Sequence, residues 1–303
     1  MAGMTNGDAT GGAADHLGRQ VGVLRERLGD ALGGADGEAV HQCRVATRRL
    51  DAGLRVCSPL IGKPALKLMK VTGLIRGALG PVRDGDVMLG HLRRLTDAQR
   101  ARHAAAAGWL DGRLAKRRVK TAAGLKLPVK KTLGRLERWD DVWPRVAEAD
   151  EAVRHLAADA AHRDLGELGA GGDADPHAVR LVVKRLRYTL DLAAAAGASV
   201  PPTATRAARR TQDTLGLWHD HAVLAQVTLD ETAKRELPLS DVALADATAA
   251  LARHWLRRSR AKLASFGRSW PKDAATLKAA LNEALPLTSP GAPPSADGHV
   301  PPM

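Results

Sequence analysis

The chain has 303 residues, with 46 Lys plus Arg against 33 Asp plus Glu, a formal charge of +13 at pH 7, and one Tyr, one Phe and six Trp as its only aromatic residues. This length can bury a sizeable core, as one large domain or two small ones. No stretch approaches the roughly twenty consecutive apolar residues that cross a bilayer, and the N-terminus MAGMTNGDATGGAAD lacks a basic-then-apolar signal peptide, so a soluble cytoplasmic protein with no membrane partner is expected.

Ala, Leu, Arg and Gly dominate the long segments, and strand-length runs of β-branched or aromatic residues are absent, which predicts an all-α fold. In chain order, residues 1–14 are Gly, Ala and Thr rich and are expected to be disordered. Helices are predicted at 15–30, 38–57, 64–79, 83–96, 98–123, 128–138, 144–165, 176–196, 203–216, 219–235 and 239–265. Breakers separate them: GGADG at 33–37, Pro59, Gly80 with Pro81, Pro128, Pro144, GAGGDADP at 169–176 and the Pro pair at 201–202. Asp175 and Pro176 form an N-cap and first-turn pair for the helix that follows. The Pro, Ser and Gly rich tail at 286–303 is expected to be disordered. Cys43 and Cys57 fall on one predicted helix, separated by about 21 Å of rise, and cannot pair with each other.

Two of these helices carry one pattern: HQCRVATRRLDAGLR at 41–55 and HAVRLVVKRLRYTLD at 177–191, 136 residues apart. The same offset places Leu79, Gly80, Asp84 and Val87 on Leu215, Gly216, Asp220 and Val223. A register held over about fifty residues indicates two copies of one helical unit, approximately 15–138 and 144–265, packed pseudo-symmetrically as a closed assembly.

Charge follows the repeat. Residues 39–136 hold 22 Lys plus Arg against 5 Asp plus Glu, or +17, leaving −4 for the rest of the chain. Helical phasing puts His41, Arg44, Arg48 and Arg55 in one arc opposite Val40, Cys43, Ala46, Leu50, Leu54 and Cys57. His177, Arg180, Lys184 and Arg187 share an arc with Tyr188, opposite Val179, Val182, Val183, Leu186, Leu190 and Ala193. Arg49 and Arg185 flank these arcs. Solvated helix faces usually mix charge signs, whereas like charges at i,i+4, such as Arg44 with Arg48, call for a counter-ion. A polyanion such as nucleic acid, anionic lipid or a phosphate polymer is the partner class this implies. On the following helices Lys70, Gly73, Arg76 and Gly77 lie away from the apolar side, with Arg206, Arg209 and Gln212 in the second copy. Their glycines serve either ligand approach or close helix packing. The run RLAKRRVK at 113–120 with Lys126, Lys130 and Lys131 either thickens the patch or is a solvated helix end.

Asp84 and Asp220 are expected to cap the next helix or to orient an arginine such as Arg83. His219, Asp220 and His221 superficially resemble a metal-binding HD pair, but Arg83 stands at the position equivalent to His219, and arginines beside His41 and His177 would repel a cation. No metal, cofactor or catalytic residue is expected. The histidines suit hydrogen bonding to phosphate oxygens instead.

At these residues the chain resembles the CHAD family, the conserved histidine α-helical domain proteins. HxxRVxxRRLxxxLR at 41–55, LGxxRDxDV at 79–87, HxxRLxxKRLRYxL at 177–190 and QDxLGxxxD at 212–220 carry the resemblance, over about residues 15–270. It implies two antiparallel four-helix bundles related by a pseudo-twofold axis, with a basic pocket or channel between them that binds inorganic polyphosphate. The site residues it implies are His41, Arg44, Arg48, Arg49, Lys70, Arg76 and Arg83, then His177, Arg180, Lys184, Arg185, Arg187, Arg206 and Arg209; Arg55 joins them from the phasing. Asp51 departs from the family's basic residue there, and Arg187 is its counterpart, while Arg55 corresponds to Asp191. Each helix therefore holds one i,i+4 pair, and these four residues serve either the ligand or the geometry. No ExExK motif of a triphosphate-tunnel domain is present, so a stand-alone module is expected.

The expected function is non-enzymatic polyphosphate binding, with association to polyphosphate granules inherited from the resemblance. The alternatives are a nucleic-acid-binding helical protein, against which the six irregularly spaced tryptophans offer no stacking platform, and a polyphosphate-processing phosphohydrolase, for which no acidic metal cluster is evident. Most of the tryptophans are expected in the core. Oligomeric state is not legible.

Overall fold

Apolar residues recur every three to four positions through most of the chain, and in the computed structural model, which describes residues 11–34, 36–168 and 175–286, every regular element is an α-helix. These are α1 (Ala13–Gly33), α2 (Gly37–Val56), α3 (Ser58–Ile61), α4 (Lys63–Arg93), α5 (Asp97–Arg102), α6 (Ala104–Ala123), α7 (Val129–Leu136), α8 (Trp139–Ala147), α9 (Asp150–Glu167), α10 (Pro176–Ala195), α11 (Pro202–Lys234), α12 (Leu237–Ser240) and α13 (Val242–Ala284). Asp175 caps α10 as expected, accepting from the backbone N–H groups of His177 and Ala178, with Pro176 in the first turn. Asp36 does the same for α2.

Several boundaries differ from expectation. Pro144 does not start a helix but lies inside α8, because Trp139, Val142 and Val146 are buried on either side of it, and the expected 144–165 helix is divided between α8 and α9. The expected 98–123 helix is divided at His103 into α5 and α6. Gly80 and Pro81 do not end a helix: α4 continues to Arg93 because Leu68, Val71, Ile75, Leu79, Val82, Leu89 and Leu92 are all buried at one uninterrupted helical spacing. Burial along that stripe outweighs the hydrogen bond lost at the proline. Residues 203–216 and 219–235 likewise belong to one helix, α11. The last helix passes Pro271 and runs well beyond residue 265, because Phe266, Trp270, Leu277 and Leu281 are core residues. At the N-terminus Ala13 and Ala14 are helical and buried, not part of a disordered segment. The remaining expectations for 1–10, for 169–174 and for 287–303 fall outside the described residues.

Packing follows the repeat. In the first copy α1 packs on α2, α2 on α4 and α4 on α6; in the second α9 packs on α10, α10 on α11 and α11 on α13. The copies meet through α2 with α10 and α6 with α13. The apolar side chains form two clusters, each drawing on both copies. The larger gathers α1, α2, α9 and α10 with the N-terminal parts of α4 and α11. The smaller joins Met88, Leu89 and Leu92 of α4, Leu110 and Leu114 of α6, Leu224 of α11, and Leu251 and Trp255 of α13. Trp139, Trp255 and Trp270 are buried, whereas Trp143 remains 41% exposed. Cys43 and Cys57 are free and buried, which pushes both thiols up to about 12.

The smaller cluster contains a buried base. His221 is 1% exposed, its ring centroid lies 5.5 Å from that of Trp255 and 5.2 Å from that of His91, and its Nδ1 has no partner. Burial, reinforced by His91 and Arg258, lowers its pKa to about 4. The unfolded chain takes up this proton near pH 6.5 and the folded chain does not until about pH 4, so stability falls as pH drops through that window. Urea melts at pH 7.5 and pH 5 are expected to show a loss in which this group accounts for on the order of 2 kcal/mol, and His221→Leu should remove that part of the pH dependence.

Candidate functional site

The packing of α2 against α10 brings the two histidine helices side by side, and α4 and α11 close over their cationic faces. A cavity of about 330 Å³ lies between them, lined by His41, Arg44, Arg48, Arg83, Asp84 and Val87 from the first copy and by Arg180, Gly216, His219, Asp220 and Val223 from the second. Four of these pairs are 136 residues apart: Arg44 with Arg180, Arg83 with His219, Asp84 with Asp220, and Val87 with Val223. The cavity therefore lies at the junction of the repeats. His177 stands beside it, its ring centroid 6.3 Å from that of His219.

Arg48 also lines a second, larger groove of about 740 Å³, so the two spaces share a wall. The groove runs between α2, α4, α9 and α10 and includes Asp51, Arg55, Arg76, Arg163, Asp164, Lys184, Arg185 and Tyr188. Its acids are already engaged. Asp51 accepts from Arg55 Nε at 3.2 Å and lies 3.6 Å from Arg76 Nη1, while Arg185 bonds Asp164 at 2.9 Å and Glu167 at 2.6 Å.

Arg44 is the most confined of the cations. It is 8% exposed, its Nη1 donates to the carbonyl of Arg76 at 2.9 Å, and its Nε has no partner. The Gly80–Pro81 pair, read from sequence as a helix end, makes room for it: a side chain at Gly80 would place Cβ 3.2 Å from Arg44 Nη1. Burial lowers the Arg44 pKa to about 10, with Arg48, Arg83 and Arg76 pushing the same way and Asp84 opposing. Burial also lowers Arg48, where Tyr188 and Asp84 oppose Arg180 and Arg76. Lys184 is shifted most, down to about 7, by burial and then by Arg48, Arg180, Arg44 and Arg76. His41 and His219 are lowered by burial together with Arg83 and Arg180 respectively, so both are mainly neutral at pH 7 and present one N–H each.

The other sequence candidates are placed elsewhere. Arg49, which flanks the cationic row, faces Asp191 of α10 and His16 of α1, inside the helix interface, with its Nε buried. Arg187 donates to Gln212 at 2.8 Å, lies 4.0 Å from Asp191 and stacks over Tyr188 at 4.6 Å. Both anticipated i,i+4 pairs thus exist, and Arg55 is held by Asp51 at the groove rim. Lys70 is exposed on α4 and lines neither space. Arg206 and Arg209 line a separate surface pocket of about 420 Å³ with Arg210 and Lys262. The 113–120 run is partly structural, since Arg118 bonds Asp86 at 2.8 Å and Arg113 reaches Glu231 at 3.4 Å.

Asp84 and Asp220 cap nothing, because both sit inside long helices; Asp84 balances Arg44 and Arg48, and Asp220 lies 3.4 Å from His91. His219 was missed as a site residue although its register with Arg83 pointed to it. Arg163 was missed because it lies outside the repeated motif. His219 and His221 face different surroundings, one the cavity and the other Trp255, and among the described residues no three His, Cys, Asp or Glu side chains converge as a metal ion requires.

An all-α duplication with a cationic cavity at its junction defines the class of protein. A family model of the CHAD domain matches residues 15–229, and the chain belongs to that family. Among solved structures it is similar to the crystal structure of the CHAD domain from the plant Ricinus communis, with a TM-score of 0.61 and 22% identity over 93% of this chain and 95% of that one, a likeness of fold. No curated protein matches.

Lys184 gives the site a measurable cost. Its amine is protonated in the unfolded chain up to about pH 10.5 but in the folded chain only below about pH 7, so stability rises with pH across that interval. Lys184→Met is expected to stabilise the ligand-free protein at pH 7 by on the order of 1–3 kcal/mol and to flatten this slope, as read from urea melts at pH 7 and pH 9.

Proposed function

We propose that the chain is a non-enzymatic binding protein for inorganic polyphosphate, which gathers on polyphosphate granules through the cavity and groove that meet at Arg48. The observation that carries this reading is Arg44, almost wholly buried with an unpartnered Nε, facing a cavity lined by cations of both repeats. A desolvated cluster of like charges is costly unless an anion neutralises it. The groove's own carboxylates are engaged by Arg55, Arg76 and Arg185, which leaves Arg48, Arg180 and Lys184 for an external anion. Two spaces joined at one residue suit a chain of linked phosphates better than a single phosphate ester. Among the described residues Tyr188 is the only Phe, Tyr or Trp side chain lining them and is covered by Arg187, which leaves a nucleic-acid strand little stacking platform beyond the partly buried rings of His41 and His219.

The test is titration with long-chain polyphosphate against duplex DNA and RNA at equal phosphate concentration. Polyphosphate is expected to bind more tightly, with affinity falling as salt rises, and Arg48→Ser with Arg180→Ser should weaken it by about tenfold to a hundredfold. Displacement of polyphosphate by an equal phosphate concentration of nucleic acid would favour the nucleic-acid reading. Phosphate release from polyphosphate with Mg²⁺, lost on changing Asp84 or Asp220, would overturn the non-enzymatic one. Binding should also draw a proton onto Lys184, so affinity declines from pH 7 toward pH 9. Calorimetry at pH 8 in buffers of different ionisation enthalpy should register that uptake, and Lys184→Arg should reduce it.

A further inference from the structure

Lys184 differs from the other described lysines in its surroundings. Lys63, Lys67, Lys70, Lys116, Lys120, Lys126, Lys130, Lys131, Lys234, Lys272 and Lys278 are exposed; Lys262 is half-buried in the pocket on α11 and α13. Lys184 is half-buried in the wall of the large groove, makes no ion pair among the described residues, and is near four guanidinium groups from three helices: Arg44 and Arg48 of α2, Arg76 of α4 and Arg180 of α10. The groove's acids are occupied elsewhere, Asp51 by Arg55 and Arg76, and Asp164 and Glu167 by Arg185. Such an arrangement does two things at once. It disfavours the ammonium form, leaving an amine with a free lone pair, and it offers positive charge to an incoming phosphate next to that amine.

We infer that Lys184 is a modification site, acylated by small anionic acyl phosphates that seat their phosphate on the arginines around it. The amine nitrogen attacks the acyl carbon, the bond from that carbon to the bridging phosphate oxygen breaks, and an amide forms. Inorganic phosphate leaves carrying the proton released by the amine, so no other reactant is required. The shift of the Lys184 pKa to about 7 supplies the neutral amine at physiological pH. Amide formation removes the amine whose protonation a bound polyanion would favour, and so lowers the groove's capacity for that polyanion. The inference rests on the anion-binding reading of the groove, not on the identity of the polymer that fills it.

The experiment incubates the full chain with acetyl phosphate at pH 7.5 and follows acetylation of each lysine by quantitative mass spectrometry. Lys184 is expected to react about tenfold or more faster than the exposed Lys70 and Lys116, because burial among guanidinium groups disfavours its ammonium form and those groups seat the phosphate beside its amine. The preference should shrink in the Arg48→Ser with Arg180→Ser variant, and saturating long-chain polyphosphate should protect Lys184. A rate at Lys184 no greater than that at Lys70 overturns the inference, and if polyphosphate still binds in that case the proposed function survives alone. Preferential acetylation that polyphosphate leaves untouched supports the modification site while counting against polyphosphate as the occupant. An uncharged acetylating ester gives the last comparison: discrimination smaller than that seen with acetyl phosphate supports the phosphate seat, and equal discrimination overturns that part of the inference.

Discussion

Five cations, Arg44, Arg48, Arg76, Arg180 and Lys184, are crowded at the meeting of α2, α4 and α10, and their mutual repulsion in a partly dehydrated space is the constraint around which the rest of the molecule is arranged. Within the cluster the bond from Arg44 Nη1 to the Arg76 carbonyl ties α2 to α4, but it does not offset the repulsion. The opposing force lies on the other faces of the same helices, where Val40, Cys43, Leu50 and Leu54 of α2 and Val183, Leu186 and Leu190 of α10 are buried in one apolar cluster. Burial of this kind fixes helix positions without regard to what their polar faces do. A few acids moderate the repulsion without removing it: Asp84 for Arg44 and Arg48, and Asp51 for Arg55 and Arg76.

The duplication is not a copy of charges. Where the first repeat sets Asp51 against Arg76, the second sets Arg187 against Gln212, so the same inter-helix contact is made with the polarity reversed. At the cavity Arg83 has His219 as its counterpart, so the second copy carries a weaker base there. The contacts between α2 and α4 and between α10 and α11 are thereby retained while net positive charge is concentrated in the first copy. Helices α4 and α11 each pass from the larger apolar cluster into the smaller one, so each spans the cavity without an interruption at its wall.

Much of this arrangement is legible in the residue pattern alone. The 136-residue register, the apolar stripes of α2 and α10 and the cationic arcs opposite them are local properties of helical spacing, and the structure places Arg44, Arg48, Arg180 and Lys184 around connected spaces. Local rules misread the Gly80–Pro81 pair as a stop, because the buried stripe on either side of it outweighs the proline. They put Arg187 among the ligand-facing cations, because angular position on one helix does not reveal which neighbouring helix covers it, whereas Arg49, which only flanks the arc, joined that set through the family resemblance. They left His219 among rejected metal ligands, although its partner by register was already a site candidate.

The helical class, the duplication, the sign of the field and the two helices that carry it follow from residue type and spacing along one chain. Tertiary packing settles which cations are free and which are spent in ion pairs, that four pairs of equivalent residues line one cavity, and that Lys184 stands among arginines with no carboxylate partner among the described residues. Those outcomes depend on side chains far apart in sequence and on how much water the packed helices exclude, and neither quantity is contained in the periodicity of any single helix.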